Sequence, residues 1–186
     1  MDKTSKKSLR PVLLQARRGL DPDVRAAANN SIRERLLGLP QIRQANTVFC
    51  FLSMDDEVDT HAIIRALQAL DKQVLVPGIR DGRMQCYALD SWAGLSRGQL
   101  GILTPAMDTP WQGPVDTSIT PGLGFSPAGQ RLGFGRGYYD QWFTRHPGVY
   151  RIAVAYACQV LDSIPVDAHD VPMHLVVTET QTYIPA

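Results

Sequence analysis

Residues 131–140, RLGFGRGYYD, place a glycine at every second position and end on Asp140. Alternating glycines weaken a helix or a strand, because each one orders a flexible backbone at a cost near ~1 kcal/mol and packs no side chain. Between a strand and a helix, however, glycines let backbone N–H groups converge on phosphate oxygens, and the helix N-terminus adds positive charge. Arg131 and Arg136 flank the glycines, and the carboxylate of Asp140 is a suitable ligand for Mg²⁺ beside a nucleotide. The segment is therefore a candidate phosphate-binding loop.

Two other interpretations of this segment stay open at the level of the residues alone. The glycine spacing matches neither the GxxxxGK[ST] P-loop nor the GxGxxG dinucleotide fingerprint, so a structural turn or close helix–strand packing is one alternative. The other is stacking on single-stranded nucleic acid, since Phe134, Tyr138 and Tyr139 interleave with arginines. A formal net charge of +1 argues against that last interpretation, because it gives no protein-wide basic field.

Length and composition predict one globular domain over residues 1–186, with 44% hydrophobic and 20% charged residues. No apolar run reaches the roughly 18 residues of a membrane span, and no apolar region follows the N-terminal lysines as in a secretory signal. Cys50, Cys86 and Cys158 have neither metal-binding nor disulfide spacing. We expect three buried free thiols and a cytoplasmic protein.

The elements that must position the loop follow from the apolar patterns. A first helix is expected over 8–19, with Ser8 as its N-cap because Pro11 is tolerated only in the first turn, and with Leu9, Val12, Leu13 and Ala16 as its apolar face. A second helix begins at Asp21-Pro22. Further helices are predicted after Asp59 or Thr60 and over 138–146, and strands over 47–52, 73–79, 84–89, 116–122, 151–157 and 174–179.

Strands that alternate with helices predict an α/β protein. We expect a single-domain three-layer α/β/α sandwich with a mostly parallel, mixed sheet of the Rossmann-like kind. Residues 90–116 are rich in Gly, Pro and Trp and are too long for a simple connector, which is typical of a functional loop or lid.

The glycine segment resembles the signature of the 5-formyltetrahydrofolate cyclo-ligase family, approximately R-L-G-x-G-x-G-Y-Y-D. Further stretches resemble the family's landmarks in the same order along the chain: KKSLR (6–10), FLSMDDEVDT (51–60), PGLGF (121–125), YACQ (156–159), IPVDAHD (164–170) and VVTE (176–179). The resemblance implies an enzyme that converts 5-formyltetrahydrofolate and ATP into 5,10-methenyltetrahydrofolate, ADP and phosphate with Mg²⁺. Such a reaction needs positioning and charge neutralisation more than covalent participation of the protein.

The resemblance also implies roles for individual residues. It assigns catalytic roles to Lys6, Arg131 and Tyr138, and Mg²⁺ to Asp140 and Asp170. Its nucleotide contacts are Lys6, Lys7, Ser8, Leu9, Arg10, Arg131, Leu132, Gly133, Phe134, Gly135, Arg136, Gly137, Tyr138 and Tyr139. Its folate contacts are Arg10, Leu52, Glu57, Phe134, Gly135, Arg136, Gly137 and Tyr138.

Some positions depart from the family's usual residues, among them Ser126, Thr104 and Pro11. They motivate an alternative hypothesis, a non-catalytic folate- or nucleotide-binding homologue of the same fold. In either case we expect a small-molecule partner, no nucleic acid, no membrane association and a monomer.

Overall fold

A computed structural model of the chain describes residues 5–98 and 103–185, so that 99–102 of the irregular segment lie outside the described residues. Its helices are α1 (Lys6–Arg18), α2 (Pro22–Leu37), α3 (Pro40–Gln44), α4 (Thr60–Ala69) and α5 (Tyr138–Arg145). Its strands are β1 (Thr47–Cys50), β2 (Gln73–Arg80), β3 (Arg83–Ala88), β4 (Ser96–Arg97), β5 (Leu103–Thr104), β6 (Thr117–Thr120), β7 (Gly124–Phe125), β8 (Arg131–Leu132), β9 (Tyr150–Val154), β10 (Leu175–Val177) and β11 (Thr182–Tyr183).

Seven strands form one sheet in the order β11-β10-β9-β6-β1-β2-β3. The five central strands are mutually parallel, and the two edge strands, β3 and β11, pair antiparallel. The predicted mostly parallel, mixed sheet is therefore confirmed. The pattern analysis missed β11, the short helix α3 and the two small antiparallel ribbons β4–β5 and β7–β8, because elements of two to five residues are too short to show a periodicity.

Both faces of the sheet are covered. Along β1, Val48 and Cys50 point into the core shared with α2 and α4, whereas Phe49 points to the opposite core, where its ring centroid lies 4.7 Å from that of Trp142 in α5. Successive strand residues alternate between faces, so a strand buried on both sides must be apolar throughout. The three-layer α/β/α arrangement is confirmed.

The first helix departs from its prediction. Ser5, not Ser8, is the N-cap, since its hydroxyl oxygen accepts the N–H of Ser8, and the two lysines lie inside the helix with Pro11. Val12 is 63% exposed, while Leu13 and Arg17 are the buried residues of the helix. The predicted apolar face was right at Leu9 and Leu13 but wrong at Val12 and Ala16. The helix packs on the 157–159 turn and the β7–β8 ribbon, which tertiary structure alone brings together.

Cys50 and Cys86 are buried, but Cys158 is exposed, so the expectation of three buried thiols was wrong at that residue. Cys158 lies in a short turn after β9 and not within the sheet. None of the helices in the described ranges is both long and apolar enough to cross a bilayer.

Candidate active site

The strand order changes direction between β1 and β6. The chain runs from β1 outwards to β2 and then returns to place β6 on the other side of β1. In open α/β sheets a crevice forms outside the carboxyl ends of the two strands at such a switch point, and ligands bind there. The loop after β1 carries Glu57, and the chain after β6 leads to the glycine segment. Two predicted binding segments therefore border the same crevice.

The glycine segment enters α5 through a left-handed turn. Gly135 has a φ of 103° and Gly137, the N-cap of α5, has a φ of 66°. These backbone values strain an L side chain, so both positions favour glycine. Within the described residues no side chain caps α5, which leaves its first N–H groups free to be donated to an anion. The β7–β8 ribbon lies between β6 and this loop, so the strand that directly precedes the glycines is β8 and not the predicted strand over 116–122.

Arg131 and Asp140, at the two ends of the glycine segment, form an ion pair. Nη2 of Arg131 lies 2.7 Å from Oδ2 of Asp140, and their side chains are 5% and 17% exposed. The guanidinium also lies 5.6 Å from the ring centroid of Tyr139, and burial raises the pKa of that phenol well above its usual range. Arg131 therefore neutralises Asp140 and closes the loop at its base. Its flanking position suggested a side chain that projects freely from the loop, but the structure holds it against Asp140.

Asp140 and Asp170 belong to neighbouring segments, although 30 residues separate them in the chain. Oδ1 of Asp140 accepts the backbone N–H of Val171 at 3.2 Å. Asp170 in turn accepts from the ammonium of Lys6, which also lies 2.7 Å from Oδ2 of Asp167. Although partial burial works in the opposite direction, these two carboxylates raise the pKa of Lys6.

These carboxylates suit Mg²⁺ in one respect. Carboxylate oxygens are ligands that Mg²⁺ accepts. Both carboxylates already hold a cation in this structure, since Lys6 pairs with Asp170 and Arg131 pairs with Asp140. Among the described residues no group of three or more His, Cys, Asp or Glu is placed to hold a metal. The donor set therefore fits an ion that takes its other ligands from phosphate and water, as Mg²⁺ does in nucleotide sites.

Helix α1 directs three basic side chains along the crevice. Lys6, Arg10 and Arg17 have the spacing i, i+4 and i+11, which places them on one helical face. Lys6 reaches Asp170, and Nε of Arg10 donates to the carbonyl oxygen of Gly133 at 2.9 Å. Arg17 reaches the loop after β1. The sequence analysis missed Arg17, although the spacing of the three basic residues was a signal for it.

Glu57 is 7% exposed and is held on both oxygens. Oε2 accepts the N–H of Met54 at 3.0 Å, and Oε1 lies 3.3 Å from Nη1 of Arg17. Nη2 of the same arginine lies 2.9 Å from Oδ2 of Asp56. Burial raises the pKa of the Glu57 carboxyl, and the Met54 N–H and the Arg17 charge oppose that rise.

The other predicted residues divide by exposure. Leu52 is buried in the core at the end of β1, and Leu9 packs with Leu132 in a small cluster beneath the ribbon. Ser8 serves the helix terminus, since its hydroxyl donates to the carbonyl of Ser5 at 2.9 Å. The exposed members are Lys7, Phe134, Gly135 and Arg136, with Tyr138 partly buried at the start of α5.

Fold and site together define a class of protein. It is an α/β protein with a mostly parallel sheet, whose switch point is bordered by a basic helix, a glycine loop suited to anions and paired carboxylates. Comparison with known proteins narrows this class. The model of the 5-formyltetrahydrofolate cyclo-ligase family matches residues 2–179. The chain belongs to that family, and the predicted membership is confirmed.

Individual relatives agree with this assignment. The chain is 30% identical over 180 residues to the 5-formyltetrahydrofolate cyclo-ligase of Escherichia coli, with 92% of this chain and 99% of that protein covered. It is 30% identical over 194 residues to the mouse protein of the same name, with 95% and 94% covered. Among solved structures, 5,10-methenyltetrahydrofolate synthetase of Aquifex aeolicus superposes with a TM-score of 0.86 at 30% identity, covering 96% of this chain and 92% of that one.

Proposed function

We propose that this chain is an ATP-dependent 5-formyltetrahydrofolate cyclo-ligase that releases 5,10-methenyltetrahydrofolate, ADP and phosphate. Membership of the family supports the reaction class. The observation that carries the proposal is the meeting of a basic helix, a glycine loop and a buried carboxylate around one crevice, through Arg10–Gly133 and Arg17–Glu57. Two ligands of different chemistry can therefore lie side by side there.

The glycine loop and α1 form the nucleotide side. The N–H groups at the start of α5 and the charge of Lys6 suit phosphate oxygens, and Arg10 holds the loop by its Gly133 carbonyl. Lys6 must leave Asp167 and Asp170 to reach a phosphate. An Mg²⁺ ion held by Asp140 and Asp170 would neutralise phosphate charge during transfer.

The loop after β1 forms the folate side. A carboxylate offers about four acceptor sites, and Glu57 uses one on each oxygen within the protein. The remaining sites suit a paired set of N–H donors, as a pterin ring presents. Phe134, 49% exposed at the tip of the glycine loop, offers an apolar ring face to the same ligand.

The chemistry divides into two steps that balance. The formyl oxygen attacks the γ-phosphorus of ATP and ADP leaves; the neighbouring folate nitrogen then attacks the formyl carbon, loses its proton and expels phosphate. The first step requires in-line positioning of the formyl oxygen, and both steps require charge neutralisation. We assign these tasks to Arg131, Lys6 and the N-terminus of α5, a proposal that their positions beside Asp140 and Asp170 support. Tyr138 opens α5 beside them and is proposed to orient the transferring group.

Ser126 bears on the alternative of a non-catalytic binding homologue. It lies in the β7–β8 turn, where its backbone N–H donates to the carbonyl of Gln130 at 3.1 Å and its hydroxyl accepts the Gln130 N–H at 3.3 Å. The turn accommodates this departure through hydrogen bonds to Gln130, which lies just before the glycine segment 131–140. This favours an active enzyme over the non-catalytic homologue.

The test is a three-component assay. Purified protein with 5-formyltetrahydrofolate, ATP and Mg²⁺ should form methenyltetrahydrofolate, detected by its near-UV absorbance, and omission of any one component should abolish the product. Binding of the folate without turnover would contradict the enzyme and support the binding homologue. The monomeric state, the cytoplasmic location and the lack of nucleic-acid and membrane partners stay predictions.

A further inference from the structure

Arg17 has an unusual environment for an arginine. Its side chain is 2% exposed, and its buried Nε has no hydrogen-bond partner among residues 5–98 and 103–185. A buried ion pair with an unsatisfied donor is rarely a net gain in stability, because apolar side chains that replace both partners pack without the desolvation cost. Stability alone therefore does not explain an arginine at this position of α1.

The contacts of Arg17 join the two walls of the crevice. On one side its guanidinium is shared between Asp56 Oδ2 at 2.9 Å and Glu57 Oε1 at 3.3 Å. On the other side its Cζ lies 5.8 Å from the ring centroid of Phe134, at the tip of the glycine loop. A planar guanidinium can hold two carboxylates and face a ring at the same time, which an ammonium cannot.

We propose that Arg17 is a positioning residue for the folate, which aims the Glu57 carboxylate into the crevice and fixes its distance from Phe134. The inference rests on the proposed function, since it assigns the Glu57 side to the folate and not to the nucleotide. Arg17 itself is nine-tenths covered by protein and acts through Glu57.

The charges around Glu57 give this role a pH signature. Arg17 faces the Glu57 carboxylate from α1 and favours its charged form, whereas Asp56 adds a like charge from the same loop. Arg18 pairs with Asp56. The Tyr156 hydroxyl donates to the Glu57 carbonyl at 2.9 Å, Tyr139 lies within electrostatic range from α5, and Arg25 of α2 donates to the neighbouring Asp55 carbonyl at 2.9 Å. Burial already raises the pKa of Glu57.

Loss of Arg17 should raise the pKa of Glu57 further. As the pH falls, the Glu57 carboxylate of the variant therefore becomes protonated at a higher pH than that of the parent protein.

The experiment compares binding constants and not only rates. Calorimetry measures 5-formyltetrahydrofolate and, separately, a non-hydrolysable ATP analogue between about pH 5.5 and pH 8.5 for the parent, Arg17→Lys and Arg17→Met. Arg18→Met is the matched control, because Arg18 is 65% exposed and its side chain pairs with Asp56 and not with Glu57 among the described residues. Arg17→Met should weaken the folate by about tenfold or more, the effect of one charge-assisted hydrogen bond, while the ATP constant changes by less than about threefold.

Three results would support the inference together. The folate loss in Arg17→Met is larger at acid pH and shrinks at alkaline pH, since the unpaired Glu57 ionises there. Arg17→Lys recovers the pH profile but not the full affinity, because it restores a charge without the planar fork. Arg18→Met follows the parent for both ligands.

A double variant guards against a simple failure to fold. Arg17→Met/Glu57→Gln removes both buried charges and should fold, and it should bind folate no more weakly than Glu57→Gln alone if Arg17 acts through Glu57. Additive losses, a loss independent of pH, or equal losses for folate and ATP would each overturn the inference. If the parent protein binds no 5-formyltetrahydrofolate, the proposed function fails instead, which keeps the two failures distinct.

Discussion

Two arginines, Arg17 and Arg131, border the crevice from opposite sides and form different kinds of ion pair. Arg17 is 2% exposed and holds two carboxylates, one of which, Glu57, is 7% exposed. Arg131 holds a single carboxylate, Asp140, that is 17% exposed and also accepts the Val171 N–H. The first pair has little freedom to move, whereas the second lies where water and a ligand can reach the carboxylate.

The difference indicates what each pair can do during a reaction. A buried pair holds its carboxylate in a fixed position, so that an uncharged ring with N–H donors, such as a pterin, can donate to it without rearrangement of the protein. The Asp140 carboxylate, 17% exposed and close to Asp170, can exchange its partners when phosphate and a cation arrive, because it stays partly solvated. The folate wall is thus expected to be rigid and the nucleotide wall adaptable.

The largest expected effect tests the adaptable wall. Arg131→Met should lower turnover by about a hundredfold to a thousandfold, since it leaves the Asp140 carboxylate without its cation and opens the base of the loop beside the transferring group. The three-component assay measures this, and binding of 5-formyltetrahydrofolate should change little. Arg83→Met, on the exposed edge strand β3, is the matched control. A turnover equal to that of the control would remove Arg131 from the catalytic machinery.

The next prediction compares how much each of the two ion pairs contributes to the free energy of unfolding. Arg17→Met should lower the free energy of unfolding by about 3 kcal/mol, because it leaves a buried carboxylate unpaired, and Arg131→Met by about half as much. Urea denaturation followed by circular dichroism gives both values. Arg18→Met should lie within about 0.5 kcal/mol of the parent, as exposed pairs do. Equal losses in the two arginine variants would contradict the proposed rigidity difference.

A smaller effect concerns the loop between the two walls. An alanine Cβ at Gly135 would lie in ordinary contact with the Arg10 guanidinium, 3.4 Å away, but on a backbone with φ of 103°, which strains an L side chain. Gly135→Ala should lower kcat/KM by about tenfold for folate and for ATP, consistent with about 1–2 kcal/mol of strain. Gly148→Ala is the control, since its Cβ meets nothing within 4 Å. A change in the ATP constant alone would show that the loop serves one ligand.

The smallest effect tests whether Lys6 must release its carboxylates. Asp167→Asn removes the charge of one of the two carboxylates that hold Lys6, so the ATP analogue should bind about twofold more tightly at low salt, with the gain lost as salt rises. Asp162→Asn, at an exposed carboxylate five residues earlier in the chain, should leave the constant unchanged. Weaker ATP binding in Asp167→Asn would mean instead that Asp167 holds Lys6 in its productive position.

The sequence predicted what depends on local pattern. Apolar runs such as 47–52 and caps such as Asp21 and Asp59 are set by the period of the side chains and by the hydrogen bonds of neighbouring residues. The alternation of strands and helices then restricts the sheet to a mostly parallel one. The glycine spacing predicted a loop before a helix over 138–146, and the structure shows that this loop enters α5 with φ of 103° at Gly135 and 66° at Gly137.

Only the tertiary structure decided which distant groups meet. It brought Asp140 next to the Asp170 segment and buried Arg17 of α1 against Glu57 of the loop after β1. It also exposed Val12, which the helical pattern had placed in the core. These outcomes depend on strand order and on the surface that each element packs against. Local sequence carries neither, which is why RLGFGRGYYD alone predicted a phosphate loop but not its link through Arg17 to the opposite wall.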